Sequence, residues 1–127
     1  MMYLLDTCAF LWALGDDPSL SVKAREVIDA GEGLFLSQTT LWEIAVKKTI
    51  KKLDLEESTQ ELVDICRESG ITVLPIENRY FDTIQKLPYI HGDPFDRLIM
   101  ATAVENDLIL LTDDDKIKLY PEVKCLW

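Results

Sequence analysis

Short apolar runs alternate along this chain with longer stretches in which apolar residues recur at helical spacing. The runs lie at residues 3–5, 34–36, 71–76, 108–111 and 123–127, and each of the first three is followed by a helical pattern. Short runs that alternate with helices in this way are typical of parallel strands joined by helical crossovers. The alternation therefore predicts a three-layer α/β domain with a mainly parallel sheet.

Two helix starts are marked by capping residues. Ser58 with Glu61 three positions later is a capping-box pattern, which predicts a helix that ends near residue 70. Asp93 followed by Pro94 places a preferred N-cap residue before the preferred first residue of a helix. We therefore expect a long helix that runs from residue 94 to about residue 106.

The length and composition fit a single domain over residues 1–127. Apolar residues make up 48% of the chain and charged residues 28%, a balance that lets 127 residues build their own core. Thirteen Lys and Arg residues against twenty-three Asp and Glu residues give a net charge of −10. A uniformly acidic surface repels nucleic acid at long range, which counts against a protein that simply coats DNA or RNA. An enzyme that concentrates carboxylates at one site stays open.

The cysteines and the hydropathy pattern bear on location. Cys8, Cys66 and Cys125 lack CxxC spacing, which is typical of small buried thiols in a reducing compartment. The single histidine, His91, falls in a predicted loop and is interpreted as structural. No apolar run approaches the length of about eighteen residues that spans a bilayer, and no signal-peptide pattern precedes the first strand. We expect a cytoplasmic protein without membrane contact.

Acidic residues follow the predicted strands. Asp6 ends the first strand, Glu43 lies in the first turns of the helix after the second, and Asp96 lies in the first turn of the helix that begins at residue 94. Residues 113–115 are three aspartates that come directly after the fourth strand. Because ligands bind beyond the carboxyl ends of the strands in an open parallel sheet, the four positions map to one edge.

A cluster of carboxylates at one edge needs a counter-charge. Two like charges about 4 Å apart repel by about 4 kcal/mol near a protein surface, and each raises the pKa of the other. Oxygen donors without His or Cys favour a hard cation, Mg²⁺ or Mn²⁺, over zinc. Such cations serve phosphate chemistry, and the sequence therefore favours hydrolysis of a phosphodiester bond.

Each acid also has an ordinary structural explanation. Asp96 fits an acidic residue that stabilises the N-terminal end of a helix dipole. Glu43 with Lys47 is an i,i+4 pair of the kind found on solvated helix faces, and an aspartate triplet after a strand is usual in a turn. Asp6 is the hardest to explain in this way, because a carboxylate that ends an apolar, central strand has few structural reasons to be there.

Basic residues gather beside the predicted acidic site. Lys47 and Lys48 follow Glu43 on the same helix, and Arg97 adjoins Asp96. A small basic rim beside an acidic pocket could hold a phosphate backbone while cations sit in the pocket. Lysines that complement the C-terminal end of a helix dipole are the alternative interpretation.

Four segments of the chain resemble the PIN domain. They are residues 5–7 (LDT), residues 37–47 (SQTTLWEIAVK), residues 91–103 (HGDPFDRLIMATA) and residues 111–117 (LTDDDKI). They span nearly the whole chain in the family's order, and DPFDR with a preceding LWEIA block is a specific combination. Within the PIN domains, these segments are similar to the toxin ribonucleases of VapBC-type toxin–antitoxin systems.

The resemblance implies a fold, an activity and partners. The fold is a PIN-like α/β/α domain with a sheet of about five parallel strands flanked by helices. The activity is Mg²⁺- or Mn²⁺-dependent cleavage of RNA by a toxin that acts as an endoribonuclease. The partners are a second copy of the chain in a homodimer and a cognate antitoxin protein that inhibits the enzyme.

The resemblance also assigns roles to individual residues. The catalytic, metal-binding acids that it implies are Asp6, Glu43, Asp96 and Asp114. The family's Thr-x-Asp pattern after the fourth strand falls on Thr112 and Asp114. Asp113 and Asp115 crowd this position, so the fourth acid could be any of the three aspartates. Thr7 and Ser37 match positions that often support the acids through hydrogen bonds.

Two other functions stay open. A receiver-like signalling domain also uses an acidic Mg²⁺ pocket on an α/β sheet, but it needs a phosphoacceptor aspartate at the end of a middle strand. The run at residues 71–76 ends without one. A catalytically inactive PIN-like module that only binds a protein partner is the second alternative, and four well-placed acids argue against it.

Overall fold

The computed structural model describes residues 1–127, which form a five-stranded, all-parallel sheet flanked by helices. The strands are β1 (Tyr3–Leu5), β2 (Leu34–Ser37), β3 (Ile71–Leu74), β4 (Ile109–Leu111) and β5 (Cys125–Leu126). The helices are α1 (Thr7–Leu14), α2 (Val22–Ala30), α3 (Gln38–Thr49), α4 (Thr59–Glu68), α5 (Asn78–Lys86) and α6 (Pro94–Glu105). The strand order is β3-β2-β1-β4-β5. The predicted α/β fold with about five parallel strands is confirmed.

The first strand of the chain is the centre of the sheet. β1 pairs in parallel with β2 and β4, so that Leu5 lies opposite Leu36 and Leu111. A receiver domain has the strand order 2-1-3-4-5, in which the third strand is central. Here β3 is an edge strand, and the receiver-like interpretation is therefore wrong.

Two apolar cores lie on opposite faces of the sheet. Leu5 and Leu36 face the first core, which α1, α2, α3 and α4 cover. Leu4 and Leu110 face the second core, where they pack against Ile99 of α6. Because successive side chains of a strand point to opposite faces, β1 is covered on both sides and is apolar throughout.

Strand-end residues cap the next helices at the carboxyl edge of the sheet. Asp6 follows β1, and its Oδ1 accepts a hydrogen bond of 2.8 Å from the amide of Ala9. Ser37 ends β2, and its hydroxyl accepts a hydrogen bond of 3.0 Å from the amide of Thr39. α1 and α3 therefore begin directly at the sheet edge, which fixes where their first turns lie.

The helix starts that the capping patterns predict are confirmed. Ser58 and Glu61 form both hydrogen bonds of the capping box at the start of α4. Asp93 accepts the amide of Asp96 at 2.9 Å, and Pro94 is the first residue of α6. The first turn of α6 is thus held from both its cap and its proline.

Some boundaries differ from the prediction. β3 ends at Leu74, because Pro75 has no amide hydrogen with which to continue a ladder. β5 comprises only Cys125–Leu126, and a 3₁₀ turn at Ile117–Leu119 separates it from β4. None of the helices combines the length and the apolar character that crossing a membrane requires.

Candidate metal centre

The acids that follow the strands line one cavity of about 220 Å³ at the carboxyl edge of the sheet. Its lining residues are Asp6, Thr7, Cys8, Trp12, Glu43, Lys47, Asp93, Asp96, Asp113 and Asp114. The fold therefore brings together all four acids that the sequence singles out. A larger cavity of about 870 Å³ lies between α1, α2 and α4, away from these acids.

Asp6 is almost fully buried at the end of β1. Burial raises the pKa of its carboxyl to about 6, and the negative charges of Asp114 and Glu43 add to the rise. The Thr112 side chain and the Ala9 amide offset this rise only in part through hydrogen bonds. A nearby cation would therefore stabilise the ionised form of Asp6 at neutral pH.

Glu43 is a buried carboxylate with a partner on each oxygen. Thr7 Oγ1 donates a hydrogen bond of 2.6 Å to Glu43 Oε1, and Lys47 Nζ donates one to Glu43 Oε2. The Thr7 hydroxyl also lies 3.0 Å from the hydroxyl of Thr40, which ties α1 to α3. The i,i+4 pair of Glu43 and Lys47 is thus present, but it forms part of the cavity wall and not a solvated helix face.

Asp96 and Asp114 meet at the ring of His91. Nε2 of His91 lies 3.0 Å from Oδ2 of Asp96 and 3.1 Å from Oδ2 of Asp114. The three residues come from the start of α6, from the segment after β4 and from the segment that precedes α6. The imidazole therefore connects two carboxylates that are distant in the sequence.

The two carboxylates at the ring differ in their protonation. Burial raises the pKa of Asp96 to about 7, and the negative charges of Asp93 and Glu43 also raise it. Burial acts in the same direction on Asp114, but hydrogen bonds from backbone amides and from His91 outweigh it, and the pKa of Asp114 lies below its ordinary value. At neutral pH Asp114 is ionised, and a proton and a cation compete for Asp96.

The donor set fits a divalent cation. Three atoms that could serve as ligands, one each from His91, Asp96 and Asp114, lie within 4.8 Å of one another. Lys47, the one basic side chain in the cavity lining, is already paired with Glu43. Asp6, Asp96 and Asp114 have no Lys or Arg partner, and a divalent cation would relieve the repulsion between their carboxylates.

A comparison with known families identifies the domain that carries this cavity. The sequence profile of the PIN domain matches residues 3–123 of the chain. The chain belongs to the PIN domain family. Its acidic cavity is therefore a PIN-domain cavity, built at the carboxyl ends of β1, β2 and β4.

This PIN domain is similar to a named ribonuclease and to solved VapBC structures. It is 28% identical over 131 residues to Ribonuclease VapC22 of Mycobacterium tuberculosis. This alignment covers 98% of this chain and 97% of the relative. VapBC2 from Rickettsia felis, bound to a DNA fragment of the promoter, matches with a TM-score of 0.73 at 20% identity over 99% of this chain and 98% of that chain. DNA-bound VapBC from Salmonella typhimurium matches with a TM-score of 0.70 at 16% identity over 99% and 97%. The solved structures share the fold.

The three residues predicted to support the acids of this PIN domain make different hydrogen bonds. Thr7 donates to Glu43. Thr112 accepts the amide of Asp114 at 3.1 Å and so shapes the turn after β4. Ser37 caps α3, the helix that carries Glu43, and hydrogen-bonds the backbone and none of the four acids. Its support for the site is therefore indirect.

Among the three aspartates after β4, Asp114 is the one that contacts His91, at 3.1 Å. Asp113 is exposed and pairs with Lys118 at 3.2 Å, and Asp115 is exposed as well. The geometry favours Asp114 as the fourth acid, and its role as a ligand stays a prediction.

The predicted basic rim requires a correction. Lys47 lines the cavity, but Lys48 lies outside the lining and donates to the carbonyl of Glu57 at 2.8 Å. Arg97 is buried, and its guanidinium donates to four backbone carbonyls between residues 84 and 91. Adjacent helix residues point about 100° apart, so an Asp96 that faces the cavity turns Arg97 toward the interior.

Two further residues of the site were misjudged from the sequence. His91 lies in a loop as expected, but it contacts two of the acids, and the signals for this contact were its place two residues before Asp93-Pro94 and in the PIN-like segment 91–103. The expectation of a buried thiol is wrong for Cys8, because α1 turns this residue toward the open cavity.

Proposed function

We propose that this PIN domain is a divalent-metal-dependent endoribonuclease and the toxin of a toxin–antitoxin pair. The observation that carries the proposal is the meeting of four acids from separate parts of the chain in one cavity: Asp6, Glu43, Asp96 and Asp114. The 28% identity to a protein named as a ribonuclease, over nearly the full length of both chains, supports the same activity.

The four acids have different proposed roles in cation binding. Asp6, Asp96 and Asp114 pair with no Lys or Arg and would bind it, while Glu43 is held by Thr7 and Lys47 and completes the wall. Their oxygens favour a hard cation, and we therefore propose Mg²⁺ or Mn²⁺. The chemistry that such a cation supplies when bound is stabilisation of charge on the phosphate and activation of water.

We propose water as the nucleophile. Cys8 is the one thiol in the cavity lining, but partial desolvation by the surrounding cavity wall and the negative charge of Asp6 raise the pKa of this thiol to about 11. A thiol with such a pKa stays protonated at neutral pH and is a poor nucleophile. Direct hydrolysis of the phosphodiester, without a covalent protein intermediate, fits this environment.

Lys47 is the candidate contact to the RNA backbone. Its ammonium group lies at the cavity wall and is partly exposed, so it can meet a phosphate while it remains paired with Glu43. The net charge of −10 repels RNA elsewhere on the surface. Recognition of RNA is therefore proposed to occur at the cavity and its immediate rim.

We also propose that a cognate antitoxin binds and inhibits the enzyme. The open cleft of about 870 Å³ between α1, α2 and α4 is partly apolar, with Leu14, Ile28 and Ile65 in its lining. An apolar segment of a partner would find contacts there, and the acidic net charge of the chain favours a basic partner.

A homodimer is the second proposed assembly. The ring of Trp42 packs edge-on against Phe95 with centroids 4.6 Å apart, and Trp42 remains 50% exposed. An exposed aromatic face of this kind is typical of an interface.

We also propose a cytoplasmic location. RNA is present in the cytoplasm and thiols stay reduced there, which fits the three free cysteines.

The direct test is an RNA cleavage assay with the purified chain. We expect cleavage with Mg²⁺ or Mn²⁺, no cleavage in EDTA, and a loss of about 100-fold or more in Asp6→Asn and Asp96→Asn. Asp82→Asn removes an exposed acid of α5 outside the cavity and is the matched control. Equal activity of Asp6→Asn and the wild type would refute the proposal. Cation binding without cleavage of any RNA would favour the inactive binding module.

A further inference from the structure

The imidazole of His91 lies within hydrogen-bond distance of two carboxylates of the cavity. Nε2 lies 3.0 Å from Oδ2 of Asp96 and 3.1 Å from Oδ2 of Asp114, and only 11% of the histidine side chain is exposed. Two functions are compatible with these distances. The nitrogen could bind the cation as a ligand, or it could carry a proton and donate to the carboxylates.

The other ring nitrogen decides between these functions. The backbone amide of Asp93 donates a hydrogen bond of 3.3 Å to Nδ1 of His91. An amide N–H can only donate, so Nδ1 is an acceptor without a proton. The proton of the neutral ring is then on Nε2, which faces Asp96 and Asp114. A nitrogen that carries a proton has no lone pair for a metal.

We infer that His91 is a positioning residue of the metal pocket, which donates from Nε2 to the carboxylate of Asp114, lies 3.0 Å from that of Asp96 and does not bind the cation itself. The inference rests on the proposed function, because it concerns the same pocket. A histidine ligand would carry its proton on Nδ1, and that proton would face the Asp93 amide hydrogen, so the contact at 3.3 Å would become repulsive.

The contacts of Asp114 show what this donor fixes. Oδ1 of Asp114 accepts the amides of Lys116 at 2.8 Å and Ile117 at 3.1 Å, and Oδ2 accepts from His91. A carboxylate offers about four lone-pair sites, and three of them are therefore used. The remaining site is on Oδ2, beside the imidazole, and it is the one through which Asp114 can reach a cation.

The backbone of His91 is held by Arg97 of α6 and by Tyr120 near the C-terminus. The amide of His91 donates to the Tyr120 hydroxyl at 2.8 Å, and the carbonyl of His91 accepts from Arg97 Nη1 at 3.2 Å. The same Tyr120 hydroxyl donates to the carbonyl of Pro88 at 2.6 Å. Arg97 is the neighbour of Asp96, so one buried guanidinium fixes the loop that places the imidazole against that acid.

The first experiment reads the tautomer directly. The chain has one histidine, so a tag-free, ¹⁵N-labelled protein gives a single set of imidazole resonances. In the metal-free protein at mildly alkaline pH we expect Nε2 in the protonated range and Nδ1 in the non-protonated range. After saturation with Mg²⁺ we expect the same tautomer. A proton on Nδ1, or loss of the Nε2 proton when Mg²⁺ binds, would overturn the inference.

The second experiment uses two isosteric amides. The terminal NH₂ of His91→Gln lies near the position of Nε2, whereas that of His91→Asn lies near Nδ1. We expect titration calorimetry with Mn²⁺ to show affinity weakened by about tenfold or more in His91→Asn and largely retained in His91→Gln. Equal weakening in both variants, or none in either, would contradict a donor at Nε2. A wild type that binds no Mn²⁺ would instead refute the proposed function, which is a separate result.

Discussion

Thr7 donates a hydrogen bond of 2.6 Å from Oγ1 to Oε1 of Glu43, and this bond joins the first turn of α1 to α3. Both residues are buried, and the second oxygen of Glu43 is paired with Lys47. A hydrogen bond to a buried carboxylate stabilises a fold by about 1.5–3 kcal/mol. The contact therefore holds one acid of the cavity and two helices at the same time.

Loss of the Thr7 hydroxyl is expected to affect stability and activity together. Thr7→Val keeps the shape of the side chain and leaves Glu43 Oε1 without its donor. We expect a decrease of about 1–3 kcal/mol in the free energy of urea unfolding and a decrease of about tenfold in RNA cleavage. Thr7→Ser retains the hydroxyl and is the control. A Thr7→Val enzyme that matches Thr7→Ser in both measurements would show that the bond has no role.

The raised pKa values of Asp6 and Asp96 predict how the metal-free fold responds to pH. Their folded-state values are about 6 and about 7, against an ordinary value of 3.8. A raised carboxyl pKa favours the folded state while the group is protonated, and this stability is lost as the pH rises through the folded value. We expect the free energy of unfolding in EDTA to decrease from about pH 4 to about pH 7, by an amount on the order of a few kcal/mol, and the melting temperature to fall over the same range.

Two comparisons isolate the source of this fall. Asp96→Asn removes one of the two titrating groups, so its melting temperature is expected to fall less over the same pH range, whereas Asp82→Asn behaves as the wild type. Saturating Mn²⁺ stabilises the ionised acids and is expected to raise the melting temperature of the wild type more than that of Asp96→Asn. A wild type that becomes more stable with rising pH in EDTA would contradict the raised pKa values of these buried carboxylates.

The two neighbouring lysines of α3 provide a matched test of RNA contact. Lys47 lines the cavity, while Lys48 is held by the carbonyl of Glu57 outside the cavity lining. We expect Lys47→Met to raise KM for RNA and to reduce the salt dependence of binding by a slope of about 0.7, the share of one phosphate contact in a single strand. Lys48→Met is expected to change neither quantity. Equal effects of both substitutions would refute a specific phosphate contact by Lys47.

Arg97 is expected to act through stability. Its buried guanidinium bonds four backbone carbonyls, so Arg97→Met leaves these acceptors without donors. We expect a loss of about 2–4 kcal/mol in urea unfolding. Arg67→Met removes an exposed arginine that pairs with Asp64, and it is expected to cost less than about 1 kcal/mol. Similar costs for the two substitutions would contradict a structural role for Arg97.

The acidic cavity was predictable because its residues obey local rules. Asp6 follows an apolar strand, and Asp96 lies in a helix whose start is predicted by the Asp93-Pro94 capping pattern. In a parallel sheet all strands end at the same edge, so local assignments were enough to bring distant acids together. The existence of the site therefore follows from element order, without any knowledge of side-chain contacts.

The contacts within the site were not predictable in the same way. His91 reaches the acids because its loop is bound by Arg97 of α6 and by Tyr120 near the C-terminus. No periodicity reports such long-range hydrogen bonds. The orientation of Arg97 was predictable, because helical geometry turns it away from the face of Asp96. Its position next to Asp96 in the sequence suggested instead that it lies at the rim of the cavity.

The most direct test of the central claim is a calorimetric titration of the metal-free protein with Mn²⁺. The account predicts saturable binding to the wild type and to Asp82→Asn, and binding weakened by about 100-fold or lost in Asp6→Asn. These two variants remove the same charge, and only Asp6 lies in the cavity. Equal Mn²⁺ affinity in all three proteins, or no binding to the wild type, would contradict the assignment of this cavity as the metal centre.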